Sequence, residues 1–87
     1  MRVYRATVID RAASRAGEED VKYESYVAVG TPWEMSFPEV QSKYLPSPFT
    51  DEDIHYYFTE DEWNKNLQAD GTIENGEFTY WIGEEVK

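Results

Sequence analysis

Two runs of alternating residues near the N-terminus constrain the fold of this chain most strongly. In residues 2–10, Tyr4, Ala6 and Val8 occupy alternate positions, and residues 21–29 alternate more cleanly still. A period of two is typical of β-strands that bury one face. Because strands that follow each other in sequence usually pair in space, we expect these two to form an antiparallel hairpin with a long loop.

A second hairpin is predicted near the C-terminus. Residues 72–83 contain Asn75-Gly76, a strong two-residue turn signal because both residues accept a positive φ. The residues after the turn alternate, with Tyr80 on one face and Trp81 on the other. The last four residues are mostly charged, so we expect them to be solvated.

The segment that follows the first hairpin contains all four prolines, within residues 31–49. Proline fixes φ and lacks an amide donor, which excludes a long regular element here. One or two helical turns fit between Pro38 and Tyr44, with the proline at the first helical position. We expect the segment to cover one face of the sheet, and an exposed recognition arm is the alternative. The side chains expected to pack beneath it are Trp33, Met35 and Phe37.

Residues 50–63 place two clusters of three carboxylates on either side of an aromatic run. Two interpretations of this run remain open. The first is a short strand over residues 54–58, which the β-branched and aromatic content favours. The second is a helix capped by Thr50, with the aromatic rings on its inner face.

Thr59 to Glu62 form a capping-box sequence, in which the threonine hydroxyl and the glutamate carboxylate each bond to the other residue's amide. We therefore predict a helix over residues 60–68. Together these elements predict a single α+β domain spanning residues 1–87. It would contain an antiparallel sheet of about four strands, one short helix at about 60–68 and a proline-rich covering segment.

Composition limits the chemistry and the location of this domain. Cysteine is absent, which excludes disulfides and thiolate chemistry and favours a reducing compartment, so we predict a cytoplasmic protein. The sequence contains no secretory signal and no apolar run of the ~20 residues that would cross a bilayer. Seven Tyr, four Phe and three Trp stand against two leucines, so the core must be largely aromatic.

The net charge of −10 is distributed unevenly. From residue 50 onward, 11 acidic residues stand against two lysines, which gives this part a net charge of −9. We do not expect so negative a domain to bind nucleic acid or an anionic membrane directly. A merely solvated surface is one interpretation of the charge, and a surface that binds a basic protein is the other.

No catalytic signature is present. The single histidine, His55, is the one base of near-neutral pKa, and no thiol nucleophile exists. Asp51, Asp53 and His55 have a spacing that metal sites use, but no second cluster completes a coordination shell. We therefore predict a non-enzymatic domain with no catalytic residues, no cofactor and no metal site.

One stretch resembles a calcium-binding EF-hand loop. In residues 66–77, Asp70 falls at position 5, Gly71 at the sharp turn and Glu77 at the bidentate position 12. Asn66 stands where the family has an aspartate. The resemblance implies, as an alternative function, a calcium-binding domain.

The strongest functional signal is the density of carboxylates interleaved with aromatic rings. Rings can anchor an interface, and carboxylates steer and orient a basic partner. We predict an inhibitor or regulator that binds a basic protein, with a DNA-imitating face for a nucleic-acid-binding protein or nuclease as the most specific form. The residues predicted to bind the partner are Asp51, Glu52, Asp53, Glu60, Asp61, Glu62, Glu74, Glu77, Tyr56 and Trp81.

In composition alone, the chain resembles phage-encoded inhibitors of host defence nucleases, such as anti-CRISPR and anti-restriction proteins. The resemblance implies a phage-type anti-defence protein. A small structural or assembly module that uses an aromatic patch is a further alternative.

Overall fold

The computed structural model describes residues 1–12 and 21–86. Most of the loop expected after the first strand lies outside these residues. The elements along the described chain are β1 (Arg2–Asp10), β2 (Val21–Gly30), α1 (Pro38–Tyr44), a 3-10 helix (Asp51–Asp53), β3 (Ile54–Thr59), α2 (Glu60–Asn66), β4 (Thr72–Asn75) and β5 (Phe78–Val86). The prediction of an α+β fold is confirmed.

The strands form one mixed sheet in the order β3-β2-β1-β5-β4. The predicted hairpins are present, since β1 pairs antiparallel with β2 and β4 pairs antiparallel with β5. β3, however, runs parallel to β2, with Ile54 beside Tyr26 and Thr59 beside Gly30. The expected sheet of about four antiparallel strands is thus corrected to five strands of mixed direction. The reason is that residues 31–53 carry the chain back along the sheet before β3 begins.

The last strand is longer than the sequence pattern indicated. β5 continues to Val86, which pairs with Val3 of β1 and packs against an apolar cluster. The expectation of a fully solvated tail is corrected accordingly. The turn before β5 consists of Gly76 and Glu77, one residue later than the predicted Asn75-Gly76, because Asn75 still pairs with Phe78 and only Gly76 has a positive φ, of 58°. The positive φ therefore falls on the residue type that adopts it without steric cost.

The main core lies on one face of the sheet. Its buried members are Ala6, Val8, Val27, Val29, Phe58, Trp63, Ile73 and Tyr80. Rings of β3 and β5 meet across this face although two strands separate them: the centroids of Phe58 and Tyr80 are 5.8 Å apart, and those of His55 and Phe78 are 4.7 Å apart. The sheet therefore curls around its aromatic contents.

The opposite face carries a smaller cluster made of Val3, Ala28, Leu45 and Ile54. The proline-rich segment reaches this cluster through Leu45, which confirms in part that the segment covers the sheet.

The expectation that Trp33 and Phe37 pack beneath the covering segment is wrong. Trp33 and Phe37 are 62% and 58% exposed, because the chain leaves β2 at the end of the sheet and residues 31–37 lie beyond its last strand pair. The short helix expected between Pro38 and Tyr44 is present as α1, with the proline in its first turn.

The central acidic and aromatic stretch combines both interpretations. Asp51–Asp53 form one turn of 3-10 helix after Thr50, and the aromatic run then forms β3. The predicted capping box is confirmed, because the Glu62 amide donates to the Thr59 hydroxyl at 3.2 Å. The helix that follows is shorter than expected and ends at Asn66.

Replacing Trp63 by Ala should lower the free energy of unfolding by about 3–5 kcal/mol, because the buried indole packs against Tyr4 and Phe58. Trp33→Ala is the matched control, since it removes the same side chain from an exposed position and should cost no more than ~0.5 kcal/mol. Urea unfolding followed by circular dichroism measures both. Equal losses would contradict the packing described.

Candidate protein-binding surface

Two clusters of carboxylates stand at the two ends of β3. The first is Asp51–Asp53 in the 3-10 helix, and the second is Glu60–Glu62 in the first turn of α2. At ~3.3 Å per residue, β3 separates the clusters by roughly 20 Å. β3 is an outermost strand of the sheet in the described chain. We call residues 51–62 the acidic edge.

Capping bonds hold one carboxylate in each cluster. The Thr50 amide donates to Asp53 Oδ2 at 2.8 Å, and the Thr59 amide donates to Glu62 Oε1 at 3.3 Å. Both threonine hydroxyls donate to the same carboxylates. The sequence predicted this role for Glu62 but not for Asp53. The Thr-x-x-Asp spacing at Thr50 was a usable signal, but the strand interpretation hid it.

Asp51 is fixed by side chains from two other elements. It accepts a hydrogen bond from Ser42 Oγ at 2.9 Å and another from the Tyr57 hydroxyl. Burial, followed by the bond to Asp51, raises the pKa of Tyr57. Because Ser42 lies in α1, this carboxylate ties α1 to the 3-10 helix.

Glu60 forms an ion pair with Arg2, with 2.6 Å between Oε1 and Nη2. The hydrogen bond to Glu60 raises the pKa of Arg2. Both side chains are partly exposed, so the pair contributes no more than ~1 kcal/mol to stability. Among the six carboxylates of the acidic edge, only Glu60 lies within ion-pair distance of a cation in the described residues.

Glu52 and Asp61 are exposed, and the carboxylate of neither residue makes a hydrogen bond or ion pair with another described residue. They are the carboxylates of the acidic edge best placed to meet a partner's cation directly. Asp51, Asp53 and Glu62 accept bonds from amide and hydroxyl donors and lie beyond ion-pair distance of any cation in the described residues. The acidic edge thus combines fixed charges with freely accessible ones.

The remaining predicted carboxylates lie elsewhere in the sheet. Glu74 is on β4, the outermost strand at the opposite side, and its Oε1 is 3.9 Å from Arg11 Nη1. Glu77 is in the turn between β4 and β5. The strand order therefore places these two residues apart from the acidic edge.

The two predicted aromatic contacts differ in environment. Tyr56 is half-buried and packs on Phe58, with ring centroids 4.6 Å apart, and it faces the main core. Trp81 is 54% exposed and lies on the other face of β5. Neither ring is grouped with the carboxylates of the acidic edge.

Three exposed rings lie beside the acidic edge, on the segment for which the sequence left an exposed recognition arm as the alternative. Gly30 pairs with Thr59, so residues 31–37 leave the sheet next to the second carboxylate cluster. α1 then reaches the first cluster, where Ser42 contacts Asp51. We call residues 31–44 the aromatic arm, because it carries three exposed rings. These are Trp33, Phe37 and Tyr44. The available signal was the position of these rings among prolines.

The geometry of the two stretches considered for metal binding does not favour a metal site in either. Among the residues that the structure describes, no three His, Asp or Glu side chains converge where they could hold a metal ion. The EF-hand-like residues 66–77 form the end of α2, a turn and β4 instead of a loop between two helices. Asp70 accepts bonds from the Thr72 amide and hydroxyl, and the hydroxyl bond is the larger cause of its lowered pKa.

His55 is part of a different group, at the concave side of the sheet. Its Nδ1 is 2.8 Å from the Tyr80 hydroxyl and its Nε2 is 2.8 Å from the Tyr23 hydroxyl. Burial lowers the pKa of His55, and the charge of Asp10 opposes this effect. The histidine therefore joins β3 to β2 and β5 in a neutral hydrogen-bonded cluster.

Compared with known proteins, the chain matches no protein-family model, no curated protein and no solved structure. Within residues 1–12 and 21–86, no helix is long and apolar enough to cross a membrane.

The stability of this domain should fall as the pH is lowered from about 7.5 to 5.5, because the pKa of His55 is depressed in the folded state. The unfolded chain then binds the proton more readily than the folded one. The His55 contribution is complete above the unfolded pKa and is lost as the pH falls toward the folded pKa. Urea unfolding at several pH values measures it.

The matched variant is His55→Gln, which removes the titration but keeps a polar side chain. Its free energy of unfolding should vary less over this pH range. An unchanged pH dependence in the variant would show that His55 is not responsible.

Proposed function

We propose that this domain is a non-enzymatic inhibitor or regulator that binds a basic surface of a partner protein through its acidic edge and aromatic arm. The supporting observation is that hydrogen bonds hold three carboxylates, none of them paired with a cation in the described residues, in fixed positions at the two ends of one edge strand. Fixed groups lose less side-chain entropy when a partner binds. Complementary charge also accelerates encounter and sets orientation.

The aromatic arm provides the apolar part of the same surface. Trp33 and Phe37 are the two most exposed large hydrophobic side chains in the described residues, at 62% and 58%. Exposed rings next to charges are typical of interfaces, where the rings become buried anchors and the charges form the rim. Charge alone is worth little in water, so the rings are expected to supply most of the affinity.

The spacing of the charges bears on the kind of partner. Duplex DNA presents one charge per ~1.7 Å of axis, whereas an uncharged strand of roughly 20 Å separates the two clusters of the acidic edge. This spacing favours a partner with two separate basic patches. A partner whose basic patches bind nucleic acid, including the anti-defence role, remains a more specific form of the proposal. Competition by duplex DNA tests it.

Partner capture should weaken steeply between ~50 and ~500 mM salt, because the charges of the acidic edge are screened. A pull-down from cell lysate at the two salt concentrations, with the bound proteins identified, provides the partner for quantitative binding. Glu52→Lys and Asp61→Lys should then each weaken binding about tenfold, or ~1.4 kcal/mol. These positions are chosen because reversing Glu60 or Glu62 would also disturb an ion pair or a helix cap.

Glu84→Lys is the control for charge reversal, since it changes the net charge equally at an exposed position of β5, outside the acidic edge. It should leave affinity within about twofold of wild type. Binding that is insensitive to salt, or equal weakening by all three reversals, would contradict the proposal.

Trp33→Ala and Phe37→Ala should each cost about 2 kcal/mol of binding free energy at both salt concentrations, as expected for buried anchors. Calorimetric titration with the identified partner measures this loss. If these variants abolish a salt-insensitive interaction while Glu52→Lys has no effect, the second candidate function is favoured. That function is an assembly module that uses the aromatic arm alone.

A further inference from the structure

Part of the sheet face that carries the smaller cluster has no covering element in the described chain. On this part, Thr7 of β1 lies between Glu24 and Trp81, and Ile9 lies between Lys22 and Thr79. We call it the open face. Its other residues are Arg5, Arg11 and Glu74.

Trp81 stands at the centre of the open face with an unfilled space beside it. Its side chain is 54% exposed, and a cavity of about 270 Å³ is lined by Thr7, Ile9, Lys22 and Trp81. An exposed indole beside an apolar cavity indicates a docking surface, because both lose unfavourable contact with water when they are covered. The cavity is open to solvent, so a protruding side chain fits it better than an enclosed ligand.

The open face differs in charge from the rest of the molecule. It carries Arg5, Arg11 and Lys22 against Glu24 and Glu74, a net charge of +1, whereas the remainder of the chain carries −11. Two copies of this protein therefore repel each other over most of their surface. The open face is where that repulsion is absent and where charges of both signs are available.

We infer that the open face is an interface between two copies of this chain, related by a two-fold axis that runs parallel to β1 and passes directly over it. β2 and β5 flank β1 on opposite sides. Such an axis therefore places β2 of one copy over β5 of the other. In this arrangement, Trp81 of each copy enters the cavity between Trp81 and Lys22 of the other.

The same axis also brings opposite charges together. Lys22 is level with Thr79, and Thr79 pairs with Glu74 on the neighbouring strand. The Lys22 ammonium of one copy thus approaches both the indole of Trp81 and the carboxylate of Glu74 in the other copy. A cation over an indole and an opposite-charge pair are both favourable contacts. The contact is self-complementary, as a two-fold interface must be.

The dimer uses a different surface from the proposed partner binding, so the two interactions can be tested separately. The acidic edge lies at the outermost strand β3, and the sheet curls at its outer strands toward the main core and away from the open face, so a dimer leaves this edge accessible. The two interactions also respond to salt in opposite directions, because salt screens repulsion between two copies of charge −10. Failure of one therefore does not imply failure of the other.

Sedimentation equilibrium of the full chain, from about 10 µM to 1 mM protein, tests the inference at ~50 and ~500 mM salt. The wild type should dimerise, and the dissociation constant should be several-fold lower at high salt. Trp81→Ala should raise the dissociation constant at least tenfold. Trp33→Ala, which removes an exposed indole of the aromatic arm and none of the open face, should leave the dissociation constant of the dimer unchanged.

A charge exchange tests the symmetry. Lys22→Glu should weaken the dimer about tenfold because it faces Glu74 of the other copy, and Lys22→Glu combined with Glu74→Lys should restore most of the affinity. Circular dichroism confirms that each variant is folded. The inference is overturned if the wild type stays monomeric at ~1 mM in high salt, if Trp81→Ala and Trp33→Ala act equally, or if the exchange restores nothing.

Discussion

Contact between the rings of β3 and β5 is the interaction on which the rest of this structure depends. Tyr80 is fully buried on β5, with Phe58 of β3 packed against its ring. Burying its hydroxyl without a hydrogen-bond partner would lower the stability of the fold, and His55 of β3 supplies that partner. Burial raises the pKa of Tyr80 to about 12, so the phenol stays protonated and the contact neutral. The sheet curls because these rings must meet.

The curl accounts for how a chain with two leucines builds a core. Aromatic side chains bury large areas, but their polar atoms need partners, and the concave face satisfies both requirements. β3 joins the curled sheet as an outermost strand beside β2. Its position there places a carboxylate cluster at each of its ends. The acidic edge therefore follows from the packing of the core as much as from the composition of the surface.

The sequence carried the local features of this fold but not the long-range ones. Alternation identified β1 and β2, and the spacing of Thr59 and Glu62 identified a helix start, because each signal lies within a few residues. The direction of β3 was not predictable, since alternation is the same in parallel and antiparallel strands. Trp33 also looked like a core residue, because its burial depends on where the sheet ends.

The candidate site likewise has features that nearby residues predict and features that depend on long-range pairing. The six carboxylates of the acidic edge are close in sequence, so their grouping could be predicted. Glu74 lies on the opposite outer strand, and strand order cannot be read from a single sequence. The bond from Tyr57 to Asp51 needs α1, the 3-10 helix and β3 in place together. The sequence left the rings of the aromatic arm either packed under the covering segment or exposed, and only the position of the end of β2 decides that Trp33 and Phe37 are exposed.

The capping bonds at the ends of β3 have a consequence for solubility. An outermost strand offers unpaired amides and carbonyls, which can template pairing with the strand of another molecule and so begin aggregation. Here the Thr59 amide is already occupied by Glu62, and the Thr50 amide just before the strand is occupied by Asp53. Two molecules that aligned these strands would also bring their carboxylate clusters together. The charges at the two ends of this strand thus oppose its pairing with another copy.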